Sequence, residues 1–457
     1  MVAHAEDLPR PMPAALPLGT YVITDDGTGI SIALADLIAA AGGKSDIIPS
    51  RGEAPNEFQD HIEQLTDEGI RGFIHLAPFG AHVVELGNDP SAWRTAVEYN
   101  ELLPHQFVRH VASLRAGGRV LLVSGLGGAF GREASCGTEL RIAGGGPALA
   151  KTLCEEWPEI VAKAIALPRD QNPRELARLL FAELAVGGGR IEVGYPAGRR
   201  TIFCTEAAEI AVASVVPRDA LPDGAVVLAT GGARGITAEV LRPLARPGIT
   251  LVLVGRSPLP ESEDLAFAEL KTDAALRAHL IAQARASGAA PRPREIERDV
   301  QALLHQREIR ANIAELRSAG ADVVYNVADV RNAAAATDAV RSVYDLYGRL
   351  DGVIHGAGLI EDKWIVDKDA ESWLRVVETK ALSAFIIASA LNPRTLRFFV
   401  MFGSVAGRYG NSGQSDYGVA NELLNRLAWQ LRALWPQTVK LAVLNWGPWA
   451  GTRYGRG

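Results

Sequence analysis

The chain has 457 residues, 48% of them apolar and 22% charged, with a formal net charge of -6 and a pI near 5.9. That acidic balance, with no basic stripe, excludes a nucleic-acid or anionic-membrane surface, and no apolar run approaches the ~20 residues that cross a bilayer. The length predicts two or three units with their own cores. Cys136, Cys154 and Cys204 lie far apart and read as isolated thiols of a reducing, cytoplasmic compartment, not as a disulfide set or a metal site.

Residues 1–17 are acidic, broken by prolines and without the apolar stretch of a signal peptide, so they read as a flexible N-terminal lead-in. From Tyr21 strands and helices alternate. YVIT, SDIIP, GFIHLA, RVLLVSG and AKAIAL have strand character; helical stretches separate them, the longest from Trp93 to Leu114, and a hairpin from IEVGY to TIFC closes this half. Such alternation predicts a mostly parallel sheet covered on both faces.

VVPRDALPDG, residues 215–224, is a proline-bearing joint that separates a first domain, 18–216, from a second, 217–457. The second opens with AVVLATGG, a strand running straight into glycines. TLVLVGRS, ADVVYNVADV, RLDGVIHGAG, a helix from Ala370 to Leu391, the Phe399 strand, the Tyr417 helix and KLAVLNWGPW follow. Six strands with intervening helices suit a Rossmann-like doubly wound sheet. Residues 258–320 insert two helical stretches, parted at SGAAPRPRE, between its second and third strands. Ile296, Val300, Leu303, Ile309, Ile313 and Leu316 recur at near-helical spacing, which predicts an amphipathic pair packed on its own domain, or else a face for a neighbouring one.

The halves repeat. Segment 69–141 overlays 349–421 at a constant offset of 280, with GFIHLA on GVIHGA, Trp93 on Trp373, Glu98 on Glu378 and Ser124 on Ser404. The copies differ where chemistry would sit: Lys380 matches Asn100, Tyr417 matches Gly137, and Asn421 matches Arg141. Where the second copy has TGGARGI the first has TDDGTGI, and Asp25 and Asp26 would repel a pyrophosphate. The fold class is therefore α/β, with two tandem doubly wound parallel sheets, the first degenerate and structural, the second cofactor-binding and catalytic. His355 recurs as His75, which marks it as structural.

Arg397 to Asn421 carries the chemistry. A strand ends at Ser404, Tyr417 follows thirteen positions on, and Asn421 lies one helical turn beyond it. A serine donor and a tyrosine acid suit carbonyl reduction, where negative charge develops on oxygen. Tyrosine, with an ordinary pKa of about 10, needs a cation nearby, and Lys380 is the candidate.

With these residues the chain resembles the ketoreductase domains of type I polyketide and polyketide-type fatty acid synthases, in the short-chain dehydrogenase/reductase superfamily. Commoner members carry Tyr-x-x-x-Lys. Here Tyr417-Gly-Val-Ala-Asn421 follows the synthase variant, in which lysine and asparagine exchange places. The resemblance covers nearly the whole chain, including the pairing of a structural with a catalytic subdomain.

The resemblance implies catalysis by Lys380, Ser404, Tyr417 and Asn421. It implies cofactor contacts from Thr230, Gly231, Gly232, Arg234, Gly235, Ile236, Arg256, Ser257, Asp329, Val330, Gly356, Ala357, Gly358, Lys380, Tyr417 and Asn445. Thr237 replaces the third glycine of the cradle pattern, and Pro243 should shorten the helix behind it. Strand two ends in Gly255-Arg256-Ser257 with no acid for a ribose 2′-hydroxyl, so NADPH is the expected cofactor. The expected substrate is a β-ketoacyl thioester on the phosphopantetheine arm of an acyl carrier protein, with neighbouring synthase domains as partners. Ile360-Glu361-Asp362 stands where one stereochemical class carries a loop acid motif, and Tyr409 where the other carries tryptophan. The chain stops short of the family's lid helix and last strand, the pattern of a synthase fragment or a split protein. A free-standing reductase of small ketones and a non-catalytic scaffold remain open alternatives.

Overall fold

A computed structural model of the protein describes residues 2–9, 15–49, 69–80, 90–132, 140–208, 221–288 and 290–449. Cys136, Gly137, most of the 215–224 joint and the chain after Trp449 lie outside the described residues.

Strands of the first half are β1 (Val2–Asp7), β2 (Thr20–Thr24), β3 (Lys44–Ile48), β4 (Ile70–His75), β5 (Arg119–Ser124), β6 (Val161–Ala166), β7 (Glu192–Gly194) and β8 (Thr201–Glu206). They form one sheet in the order β1-β8-β7-β6-β5-β4-β2-β3. From β3 to β7 all pairings are parallel; β7 with β8 and β8 with β1 are antiparallel. RVLLVS is buried at all six positions, as an apolar run covered on both faces should be. Tyr21, Ile23, Ile74, Leu121 and Ile165 share its core with the helices Ile30–Ala40 and Pro173–Ala185. The lead-in is not irregular throughout, as its composition suggests. Val2–Asp7 pairs in register from Val2↔Glu206 to Asp7↔Thr201, and its backbone covers an otherwise open sheet edge.

The second half contributes β9 (Ala225–Thr230), β10 (Ile249–Gly255), β11 (Asp322–Val327), β12 (Gly352–His355), β13 (Phe398–Ser404) and β14 (Lys440–Trp446), in the order β11-β10-β9-β12-β13-β14. This is the six-stranded, doubly wound order. Helices Asp273–Ala286 and Pro293–Ser318 make up the insertion, where Leu276, Ile296 and Val300 form a small core of their own. Further along, Ile309, Ile313 and Leu316 are buried and Asn312 Nδ2 donates to Ala233 O at 3.0 Å, so the insertion packs on its own domain.

The repeat extends to fine detail. Helix Pro90–Val97, a π-helical turn Glu98–Leu102 and helix Leu103–His110 recur as Ala370–Val377, Glu378–Leu382 and Ser383–Ala390, every bound shifted by 280. The repeated helices also pack on each other. Trp93 meets Phe385 edge-on at 5.4 Å and Trp373 meets His105 at 6.1 Å. Under the same offset Trp93 becomes Trp373 and His105 becomes Phe385, so these are one contact made twice across a local pseudo-twofold.

That packing explains why compactness cuts the chain not only at the joint but again within the second half. Met1–Val215, Gly358–Arg394 and Phe399–Gly457 form one unit, and Val216–Ala357 with Thr395–Phe398 the other. The boundary near residue 216 separates the first sheet from β9 to β12; β14, most of β13 and the later helices of the second half cluster with the first.

Candidate active site

Lys380, Ser404, Tyr417 and Asn421 all lie in the first unit. Lys380 sits in the middle of the π-helical turn, is buried, and donates from Nζ to Phe402 O at 2.9 Å. Its Nζ stands 5.4 Å from the centre of the Tyr417 ring. Burial pulls its pKa down to about 8, which still leaves it mostly cationic at neutral pH. Ser404 ends β13 and caps the short helix Val405–Tyr409, its Oγ accepting from Ala406 N at 3.2 Å. Asn421 donates from Nδ2 to Tyr417 O at 2.7 Å, one turn back on helix Ser415–Leu434. Its Oδ1 is buried and finds no donor among the described residues, an acceptor left open beside the tyrosine. A Cβ at Gly358 would fall 3.2 Å from Lys380 Nζ, so glycine keeps that approach open.

Two ionic groups that motif reasoning missed hold this set. Asp416, next to Tyr417, pairs with Lys368 at 2.5 Å, both side chains buried. Burial raises the Asp416 carboxyl to about 6 against the pull of Lys368. His105 Nε2 lies 3.4 Å from Lys368 O. Behind Ser404, Arg408 reaches Glu192 on β7, which also pairs with Arg132 at 2.9 Å and Lys151 at 2.8 Å, while Lys151 Nζ donates to Arg408 O at 2.7 Å. Burial would push the Glu192 carboxyl up, but Lys151, Arg132 and Arg408 reverse it and hold it well below its ordinary value. Nothing in local sequence signals either group, because each joins residues far apart in the chain. The loop acids are tied down as well: Glu361 bonds Arg375, and Asp362 accepts from Gln414 Nε2 at 3.1 Å.

The second unit holds the glycine loop. Gly231 (φ +66) and Gly235 (φ +54) adopt the left-handed conformation that suits glycine. A Cβ at Gly231 would fall 3.0 Å from Gly356 O, whereas at Gly235 it would meet nothing within 4 Å, so the loop is closed behind and open in front. Gly232 is buried in the loop, and Ile236 lies in the first turn of helix Gly235–Leu241. Thr230 points inward, its Oγ1 2.8 Å from His355 Nδ1 and accepting from Ala357 N at 3.3 Å. Thr24 and His75 make the same pair at 3.1 Å in the first half. Both histidines therefore brace strand ends. Thr237 fits because it faces a glycine: a Cβ at Gly356 would lie 2.1 Å from its Oγ1. The helix gives way to a 3-10 turn containing Pro243, as proline dictates.

Arg256 is exposed at the end of β10, and the Ser257 carbonyl accepts from Tyr325 Oη at 2.8 Å. Asp329 is paired with Arg331 at 2.6 Å, which holds its carboxyl below the ordinary range; Val330 beside it is buried. Asn445, in the first unit, is exposed and donates to Asn425 Oδ1 at 3.1 Å.

In the first half the corresponding loop is filled from within. Asp26 accepts from Thr28 N at 3.1 Å and Ser31 N at 3.3 Å, and Asp25 from Gly27 N at 3.1 Å. Beyond repelling an incoming anion, these carboxylates already occupy the loop's donors.

Residues 225–451 match the family model described as KR domain. They belong to the KR-domain family. The KR domain sits in a chain 30% identical over 314 residues to one of the subunits of the polyunsaturated fatty acid synthase of Thraustochytrium sp., covering 66% of this chain and 11% of that protein. Polyketide synthase PksN of Bacillus subtilis is 26% identical over 61% of this chain and 4% of its own length. The chain thus spans about a tenth or less of these relatives. Among solved structures, an N-terminal ketoreductase from the macrolactin assembly line matches with TM-score 0.67 and 18% identity, covering 98% of this chain and 83% of that one. The first ketoreductase of the tylosin polyketide synthase gives 0.65 and 21%, covering 100% and 84%. At these identities the structures establish the shared fold. No helix among the described residues is long and apolar enough to cross a membrane.

Proposed function

We propose that the chain reduces a β-ketoacyl thioester to the β-hydroxyacyl thioester with NADPH. The observation that carries this reading is the buried, cationic Lys380 beneath the Tyr417 ring. A charge kept out of water at such cost has work to do there. The glycine loop fits a dinucleotide, since Gly231 and Gly235 take the left-handed turn conformation and the loop contains no carboxylate of its own. Arg256, in a strand end Gly255-Arg256-Ser257 that carries no acid, suits a 2′-phosphate and favours NADPH over NADH.

Bound NADPH supplies the hydride, which goes to C3 of the substrate. Ser404 Oγ and Tyr417 Oη donate to the carbonyl oxygen and stabilise the charge growing on it. Tyr417 passes its proton to that oxygen, so the ketone becomes an alcohol. Lys380 lowers the cost of the phenolate left behind. The open Asn421 Oδ1 accepts from a water that returns a proton to Tyr417. Relatives named as fatty acid and polyketide synthases favour an acyl chain on the phosphopantetheine of an acyl carrier protein, delivered by neighbouring domains.

Loss of NADPH absorbance on adding a short β-ketoacyl thioester tests the reading. Wild type should turn over and prefer NADPH to NADH. Tyr417→Phe should lower kcat by about two to four orders of magnitude while still quenching NADPH fluorescence on binding. NADPH binding without turnover in the wild type would instead favour a scaffold.

A further inference from the structure

The insertion puts an anion on the glycine loop. Glu308, on helix Pro293–Ser318, accepts from Gly235 N through Oε1 and from Arg234 Nε through Oε2, each at 3.0 Å. Gly235 and Arg234 are two of the donors that a cofactor phosphate would use. The first half, which has no insertion, fills its own loop with Asp25 and Asp26, which accept from Gly27 N, Thr28 N and Ser31 N. Both copies therefore hold a carboxylate where a dinucleotide-binding loop holds phosphate.

The two carboxylates differ in how firmly they are held. Asp26 is buried, 3% exposed, and belongs to the loop itself, so it cannot leave. The Arg234 and Glu308 side chains are 36% and 41% exposed, and an exposed pair of that kind is worth little. Helix Pro293–Ser318 also has its own anchors nearby, Asn312 on Ala233 O and the buried Ile309 and Ile313. Glu308 can swing out while its helix stays in place.

We infer that Glu308 is a displaceable internal anion, occupying Gly235 N–H and Arg234 until a nucleotide phosphate takes both, and so setting the affinity for the cofactor. This rests on the reductase reading. Glu308 is a positioning residue for the loop donors, not a catalytic one. Its effect should show in cofactor affinity and leave the chemical step alone.

Fluorescence titration of NADPH onto the full chain tests it without turnover. Glu308→Gln should tighten binding about fivefold, the size expected for removing one competing exposed charge and weakening its charge-assisted hydrogen bonds. Glu315→Gln is the control: Glu315 pairs with Arg242 at 2.8 Å on the same helix, and its loss should leave affinity unchanged. Binding by Glu308→Gln alone, with none by wild type, would support the same competition at greater strength. Wild-type binding that Glu308→Gln or Glu308→Ala leaves equal or weakens overturns the inference and leaves the reductase reading standing. Equal tightening by Glu315→Gln reduces the effect to bulk charge and also overturns it. Failure of both wild type and variant to bind any pyridine nucleotide removes the reductase reading and this inference together.

Discussion

Lys380 is held as a cation where burial opposes it. A drop from the ordinary 10.5 to about 8 corresponds to about 3 kcal/mol that the folded chain gives up below pH 8. Between about pH 8 and 10.5 the unfolded chain binds the extra proton, so stability should rise with pH across that window. Catalysis should move the other way, because neutral Lys380 no longer favours the phenolate. The expected result is a kcat/KM that falls above about pH 8 while urea midpoints climb; Lys380→Met should flatten the stability trend and abolish turnover. Another residue-scale test concerns Gly356. Adding a methyl there, against Thr237 Oγ1 and Thr230 O, should cost about 1–3 kcal/mol, and Thr237→Gly in the same chain should restore part of it, read by chemical denaturation. Motif spacing made Lys380, Ser404, Tyr417 and Asn421 visible as candidates, because one turn of helix and one strand end fix their geometry locally. Glu308 and Glu192 were invisible for the opposite reason. A carboxylate that acts on a loop some 70 residues away in the chain leaves no periodic or spaced signal.

At the scale of elements, the alternation of apolar runs with helical stretches gave both sheets, since strands buried on both faces must be apolar throughout. What it could not give was the backbone pairing of Val2–Asp7, where side-chain character says little and the open edge of β8 decides. The π-helical turn was equally hidden, although the offset of 280 implied that any irregularity in one copy would recur in the other. Its presence in both copies shows that it belongs to the fold and was inherited by the Lys380 position. Helix Ser415–Leu434 depends on the Lys368–Asp416 pair where Tyr417 projects from its first turn. Breaking a buried pair from one side strands a charge, so Lys368→Met or Asp416→Asn should each cost about 3–5 kcal/mol, and the double change distinctly less than their sum. A double-mutant cycle in urea measures this, and additive costs would show the pair uncoupled.

For the whole molecule, the first half has lost its own loop to Asp25 and Asp26 but grips the region around Ser404 through Glu192. Glu192→Ala would leave Arg132, Lys151 and Arg408 facing one another without their shared carboxylate. About 3–5 kcal/mol should be lost, and amide exchange should quicken together in β7, β8 and helix Ser415–Leu434. Exchange confined to β7 and β8 would mean that the halves loosen independently. The paired Trp93–Phe385 and Trp373–His105 contacts carry a further consequence. Two separate copies meeting this way would be a dimer, whose population falls on dilution. Here one polypeptide supplies both faces, and tethering keeps the local concentration of each high at any protein concentration. Mass action, which governs every ordinary dimer, has no hold on this contact, so only one copy had to keep its chemistry and the other was free to become a permanent partner.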